Sequence, residues 1–287
     1  MILITGSNGN LGQLTIQFLR KKNPALKIAG LVRESSKGKA LQENGVELRV
    51  GAYGDRASLV RAFKGIETLL FISSSELTNR IAAHQNVIAA AKEAGVKHLV
   101  YTSLVQADKL LSPLAADHLE TEKQIIQSGI PYTFFRNTFY AEFIPMFIGK
   151  AHETGEWFFP GDQAKVNFAL RSEMAEAIAN VLENPAAHRN TVYEITSGNS
   201  YSLSEIADIM GEISGKEVRY THVPVNVFKE QLTKAGLPAE MIEMTTIIGE
   251  SFVNGALSHS DDTLEKLLGR KPIGTREFLN QYLSNKN

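Results

Sequence analysis

Six short β-type runs alternate with helix-period stretches through the first half of this chain, at residues 2–5, 27–32, 46–50, 68–73, 98–103 and 132–136. The helical stretches between them stop at Gly45, Gly65, Gly95 and Gly129. Strands joined by helical crossovers can only pair side by side in the same direction, so this repetition predicts a parallel sheet covered on both faces. The runs also differ in texture. "TLLFI" at 68–72 is apolar throughout, as suits a strand buried on both faces, whereas "VELRV" at 46–50 alternates apolar and charged residues, as suits an edge with one wet face.

Between the first run and the first helix stands "ITGSNGNLG", with Gly6, Gly9 and Gly12 at equal spacing. Gly6 permits a tight turn, Gly9 lets backbone approach a pyrophosphate, and Gly12 lets helix and strand pack closely while the helix N-terminus faces the anion. A glycine triplet alone is weak, but strand before and helix after is the context this mechanism requires. The expected fold is therefore α/β, a Rossmann-type doubly wound parallel sheet, in which the third strand is an edge and the fourth is central. Dinucleotide sites sort their cofactors at the end of the second strand, which here reads Val32-Arg33-Glu34-Ser35-Ser36-Lys37. Arg33 stands where a ribose-binding acid is usual and, with Lys37, favours a 2′-phosphate, so NADPH is expected over NADH; Glu34 argues mildly the other way.

The 43 % hydrophobic content is ordinary for a chain with a sizeable core, and 30 basic against 31 acidic residues leave no tail for nucleic acid or lipid. With no cysteine, disulfides and thiol catalysis are excluded. No apolar run is long enough to span a bilayer and the start has no leader pattern, so a cytoplasmic protein is expected. After Asn137 the texture changes to aromatic-rich and helical. We therefore expect residues 1–136 to be the NAD(P)-binding domain. Residues 137–287 should form a smaller, mostly helical substrate-binding part, with segments around 165–197 returning to the sheet, among them the strand "NTVYEIT". "SLSE" at 202–205 reads as a capping box starting the next helix.

"HLETEK" at 118–123 is the densest polar cluster. At helical spacing Leu119, Lys123 and Ile126 share one side and Glu120 and Gln124 the other, which puts a lysine on the stripe a helix normally buries. His118 and Glu120 read as surface groups. His118 with Glu122 is too few ligands for a metal site, and Ser103 lacks the G-x-S-x-G elbow of a hydrolase, so no metal is expected.

Together "ITGSNGNLG", "GAYGDRASL", "LLFISSSE", "VKHLVYTSL", "HLETEK" and "IPYTFFRNTFY" span the chain. In that order they resemble the NmrA-like atypical short-chain dehydrogenases, most closely the members that reduce quinones and triphenylmethane dyes with NADPH. The resemblance implies that Gly6, Ser7, Asn8, Gly9, Asn10, Leu11 and Gly12 hold the pyrophosphate and that Arg33 and Lys37 hold the 2′-phosphate. It places Tyr53 near the adenine, and Ser73, Ser74 and Ser75 along the nicotinamide ribose. Ser103 matches the serine closing the fifth strand, Lys123 the family lysine, and Asn137 to Tyr140 the segment beside the nicotinamide. Asp55 reads instead as a helix N-cap.

The wider superfamily pairs that lysine with a tyrosine four residues earlier, which moves a proton to or from a carbonyl oxygen; here that position is Leu119. Lys123 is therefore read as positioning the cofactor, with a ribose hydroxyl or Glu122 as partner, and Lys123, Asn137 and Tyr140 as the catalytic set. Without the acid, a flat acceptor that takes hydride without a simultaneous proton is expected, such as a quinone or cationic dye. Phe139, Tyr140, Phe143, Phe147, Trp157 and Phe158 are either walls for such a ring or plain core. The alternative is a non-enzymatic NADP(H) sensor acting through a protein partner. A monomer or homodimer is expected, with neither nucleic acid nor membrane as partner.

Overall fold

The computed structural model describes residues 1–76 and 78–284. The chain divides into two compact units. The first comprises Met1–Leu104, Asp117–Asn137 and Arg171–Tyr193; the second comprises Val105–Ala116, Thr138–Leu170 and the chain from Glu194 onward.

The first unit is built on a parallel sheet of β1 (Ile2–Ile4), β2 (Ile28–Val32), β3 (Glu47–Val50), β4 (Thr68–Phe71), β5 (His98–Leu104) and β6 (Tyr132–Asn137). The spatial order is β6-β5-β4-β1-β2-β3, with the strand Thr191–Ile195 beyond β6. Ile2 pairs with Ile28 on one side and Thr68 on the other, so β1 is flanked by two strands it reaches through helices. Crossovers are α1 (Asn10–Lys22), α2 (Lys39–Glu43), α3 (Arg56–Phe63), α4 (Arg80–Glu93) and α5 (Ala115–Ser128). On one face Leu3, Leu69, Phe71, Leu99 and Phe134 pack against Leu59 and Phe63 of α3, Val87 of α4 and Ile125 of α5. On the other, α1 packs on the helix Arg171–Glu183, with Lys22 3.3 Å from Glu183.

The edge and central strands are those the sequence predicts. β4 is buried throughout, and β3 lies at the edge. β3 departs from strict alternation, since Glu47 and Val50 are exposed while Leu48 and Arg49 are half-buried. Its crossover α2 has only five residues, too short to cover the strand, and Leu48 packs on Gly38 instead. Asp55 caps α3 by accepting the Ser58 N–H at 3.1 Å.

The second unit has its own core, with Phe147, Trp157, Phe159, Phe168, Ile206, Met210 and Phe252 at its centre. The capping box is formed: Ser202 Oγ accepts the Glu205 N–H and Glu205 accepts the Ser202 N–H, opening the helix Leu203–Ser214. Between its helices run three two-stranded pairings: Phe139–Tyr140 with Phe168–Ala169, Lys165–Val166 with Tyr201–Ser202, and Glu156–Phe159 with Arg219–His222. Among the described residues no helix is long and apolar enough to cross a membrane.

Candidate active site

Where β1 ends, Gly6 turns the chain with φ +58° and its carbonyl accepts the Gly9 N–H at 2.9 Å. A Cβ on Gly12 would stand 2.4 Å from the Gly6 carbonyl oxygen and 2.9 Å from Ser7 Cα, so only glycine lets α1 come this close to the loop. Gly9, the N-cap of α1, has no capping side chain, and the first turn carries no acid. Its leading N–H groups and the positive end of its dipole therefore face outward without a protein anion, the arrangement that receives phosphate. The other loop side chains are spent on structure. Ser7 is buried and donates to the Leu31 carbonyl at 2.8 Å, Leu11 enters the core, Asn10 is exposed, and Asn8 Nδ2 donates to the Lys37 carbonyl at 2.9 Å.

The loop forms one wall of an 830 Å³ cleft at the carboxyl ends of β1, β2, β3 and β4. Arg33 and Lys37 line it beyond β2, Tyr53 beyond β3, and Ser73, Ser74 and Ser75 beyond β4. Arg33 is exposed and reaches Glu76 at 2.8 Å; Lys37 lies 3.4 Å from Glu34. The Tyr53 hydroxyl points into the protein, donating to the Ile72 carbonyl at 2.7 Å and lying 2.5 Å from Thr5 Oγ1. Burial pushes its pKa above the ordinary phenol range. What Tyr53 offers the cleft is thus its ring and backbone. The Ser73 N–H donates to Thr102 Oγ1 at 2.9 Å and the Ser74 N–H to His84 Nε2 at 3.0 Å. His84 accepts there, so its other nitrogen carries the proton toward Thr121 Oγ1 at 2.9 Å, and the Thr121 hydroxyl donates to the Asp117 carbonyl at 2.7 Å. Burial, then the nearby Arg80, pull the His84 pKa down to about 3.

The polar cluster on α5 is arranged differently from its sequence reading. Its buried face is Ala115, His118, Thr121, Glu122 and Ile125, while Lys123 and Ile126 are exposed and Leu119 is half-buried. His118 is therefore no surface group. Its Nδ1 shares a hydrogen bond with the Tyr101 hydroxyl at 2.9 Å, and burial followed by Arg80 lowers its pKa to about 3. Glu122 is not the partner of Lys123. It takes the Ser103 hydroxyl at 2.6 Å and one edge of the Arg136 guanidinium in bidentate fashion, Nε at 2.9 Å and Nη2 at 2.7 Å. The expectation failed because the buried stripe is polar, paired one residue to the side of the apolar stripe that periodicity picks out.

Eight expected site residues thus stand outside the described cleft lining: Ser7, Asn10, Leu11 and Gly12 in the loop, and Ser103, Lys123, Asn137 and Tyr140 beyond it. Ser103 is occupied by Glu122, and Lys123 is exposed with no ion-pair partner among the described residues. Asn137 closes β6, 6 % exposed, and its Oδ1 is buried without a hydrogen-bond partner. In the second unit, Tyr140 is half-buried with its ring 5.8 Å from that of Phe143. Of the aromatic set, Phe147 and Trp157 are core, Trp157 Nε1 donating to the Phe147 carbonyl at 2.8 Å, whereas Phe143 and Phe158 are exposed.

Sequence reasoning missed Glu76, Asn79, Ala82, Ala83 and Asn86, which line the cleft from the loop after β4 and the start of α4. The available signal was the pair of alanines in "RIAAHQN" followed one turn later by an asparagine, a helix face too small and polar to be core. Asn86 Nδ2 donates to the Tyr53 carbonyl at 3.0 Å and holds the adjacent loop.

Comparison with known proteins agrees with this architecture. Quinone oxidoreductase 2 of Escherichia coli is 39 % identical over 269 residues, 94 % of each chain. The structure of an NADPH-dependent quinone oxidoreductase from the same organism in complex with NADPH superposes with a TM-score of 0.93 at 37 % identity, covering 99 % of this chain and 100 % of that one. Triphenylmethane reductase of Citrobacter in complex with NADP(H) gives 0.90 at 38 % identity, over 98 % and 99 % of the two chains. The model of the NmrA-like family matches residues 1–279, and the chain belongs to that family.

Proposed function

We propose that this protein is an NADPH-dependent reductase that passes hydride to a flat, electron-poor acceptor such as a quinone or a cationic dye. One observation carries the reading: a single cleft joins an uncapped helix N-terminus, where a Cβ would collide, to two cations beyond β2. That is the charge pattern of a pyrophosphate with a 2′-phosphate farther out. The residues present fit such a cofactor, since Gly12 lets α1 sit against the loop with its leading N–H groups uncapped, and Asn137 Oδ1 is an acceptor still wanting a donor among the described residues. The backbone from Gly6 to Gly12 would hold the pyrophosphate, Arg33 and Lys37 the 2′-phosphate, Tyr53 the adenine side, and Ser73 to Ser75 the nicotinamide ribose. Lys123 has an exposed ammonium to offer a ribose hydroxyl, and the family resemblance would set Asn137 and Tyr140 beside the nicotinamide. The relatives named above support the cofactor and the acceptor class.

A nicotinamide bound there supplies the hydride. The chain's own contribution is to orient it, because the superfamily's acid is missing and the buried polar groups of β5 and α5 are committed. Leu119 stands at the acid's position, the His118 imidazole is neutral and held by Tyr101, the Tyr101 phenol is pushed above its ordinary range by burial, and Glu122 is paired with Arg136. An acceptor whose charge is delocalised as hydride arrives, a quinone going to its phenolate or a carbocationic dye, needs no proton at that moment. Oxidation of NADPH followed by absorbance, with and without a benzoquinone and with NADH as control, tests the reading. Quinone-dependent turnover favouring NADPH is expected. Tight NADPH binding with no turnover across quinones and cationic dyes would replace it with a redox-sensing role.

A further inference from the structure

Glu76 is a charged group in the cleft to which the proposed reaction gives no part. Arg33 leaves the end of β2 and Glu76 the loop after β4, 43 residues apart in sequence, and their side chains meet at 2.8 Å. Both line the cleft. Exposed ion pairs are common and mostly incidental, but the backbone that presents this carboxylate is held by buried side chains. Thr102 takes the Ser73 N–H, His84 the Ser74 N–H at 3.0 Å, and Arg80, itself 6 % exposed, donates its Nε to the Glu76 carbonyl at 3.2 Å. Ser74 Oγ accepts the Glu76 N–H at 3.1 Å and closes the turn. Glu76 is thus offered to Arg33 from a fixed place.

The second cation at this end of the cleft is also matched, Lys37 by Glu34 at 3.4 Å. With no phosphate present, Arg33, Lys37, Glu34 and Glu76 sum to zero charge. An arriving 2′-phosphate must take Arg33 from a carboxylate and then sit beside that carboxylate. A cofactor with a 2′-hydroxyl meets no such competition, because it carries no charge for Arg33 to leave Glu76 for.

We propose that Glu76 is a specificity-determining residue that competes with the 2′-phosphate for Arg33, loosening NADPH relative to NADH. It rests on the reading of Arg33 as the 2′-phosphate ligand. Its effect is to trade affinity for exchange, since oxidised cofactor must leave in every cycle and a resident carboxylate ready to retake Arg33 favours that departure.

The test is the dissociation constants of NADPH and NADH for the wild type, Glu76→Gln, Arg33→Ala and the double variant, at low and high salt. Both side chains are exposed, so neither substitution threatens folding. Glu76→Gln should tighten NADPH about threefold to fivefold, the range open to an exposed pair, and leave NADH unchanged. The gain should shrink in the Arg33→Ala background, where only the direct repulsion between Glu76 and the phosphate is left to relieve, and shrink further with salt. If Glu76→Gln leaves NADPH unchanged, weakens it, or shifts both cofactors equally while Arg33→Ala selectively weakens NADPH, the role of Glu76 is overturned and the 2′-phosphate reading stands. If Arg33→Ala shifts both cofactors alike, both fall together.

Discussion

Helices α1 and α5 each follow a parallel strand of the same sheet, yet they bury opposite kinds of surface. α1 buries Leu11, Gly12, Thr15, Ile16 and Leu19, and its one buried hydroxyl, Thr15, is satisfied within the helix by the Leu11 carbonyl at 2.9 Å. α5 buries an imidazole, a hydroxyl and a carboxylate, each meeting a residue far away in sequence: His118 reaches Tyr101, Thr121 reaches His84 in addition to the Asp117 carbonyl one turn back, and Glu122 reaches Ser103 and Arg136. An apolar stripe announces itself through its period. A polar stripe carries no such mark, because partners, not periodicity, make its burial affordable.

The contrast can be broken most forcefully at Glu122. Glu122→Ala should strip the buried Arg136 of a bidentate carboxylate and cost about 3 kcal/mol in urea unfolding, the low end for breaking a buried pair. A loss below about 1 kcal/mol would mean that the α5 face behaves like an exposed one. On α1 the matching lesion is steric. Gly12→Ala would drive a methyl against the Gly6 carbonyl and should cost about 1–3 kcal/mol by overpacking. Its NADPH affinity should fall as the cradle shifts, and unchanged affinity would detach the loop from cofactor binding.

Protons probe the same difference more gently. His84 and His118 are held neutral in the fold, with pKa values lowered to about 3, whereas unfolded histidine titrates near the ordinary value of 6.5. Below that value the unfolded chain binds protons that the native chain refuses, so stability must fall as pH drops from 6.5 toward 3, by at most about 1.4 kcal/mol per pH unit per histidine. Urea midpoints at a series of pH values should show this slope, and His118→Gln should flatten it by about one proton. A slope untouched by that variant would place the acid sensitivity elsewhere. Arg33→Ala should weaken NADPH about tenfold and NADH hardly at all in equilibrium titrations. The smallest effect belongs to Lys123→Met: an exposed, unpaired side chain should move stability by less than about 0.5 kcal/mol while raising KM for NADPH. A large stability loss would show that Lys123 is held by the fold.

What was legible in the sequence follows the same division. The six strands, the edge position of β3 and the glycine cradle depend on local composition and spacing, and each lies within two residues of its expected place. Asp55 and the Ser202 capping box were legible because a cap and its helix are neighbours in the chain. The Arg33–Glu76 pair, the buried face of α5 and the cleft-lining face of α4 depend on contacts between residues far apart. Two of the three strand pairings of the second unit join segments of only two residues, too short to show a period of two, and they are held by register with a partner segment, such as Tyr201 opposite Val166.

The pins beneath the serine loop bear on the order in which this protein is made. Every residue lining the cleft lies between Gly6 and Asn86, so all of them have been synthesised before a third of the chain is complete. The groups that immobilise the Ser73 and Ser74 backbone arrive later, Thr102 from β5 and Thr121, behind His84, from α5. A nascent chain therefore owns the cleft lining, without the later Lys123, Asn137 and Tyr140 proposed for its nicotinamide end, before it owns the bonds that make that lining rigid. Ligand present during synthesis would add its binding free energy to the docking of β5 and α5, drawing the late segments onto a cradle already shaped to receive it.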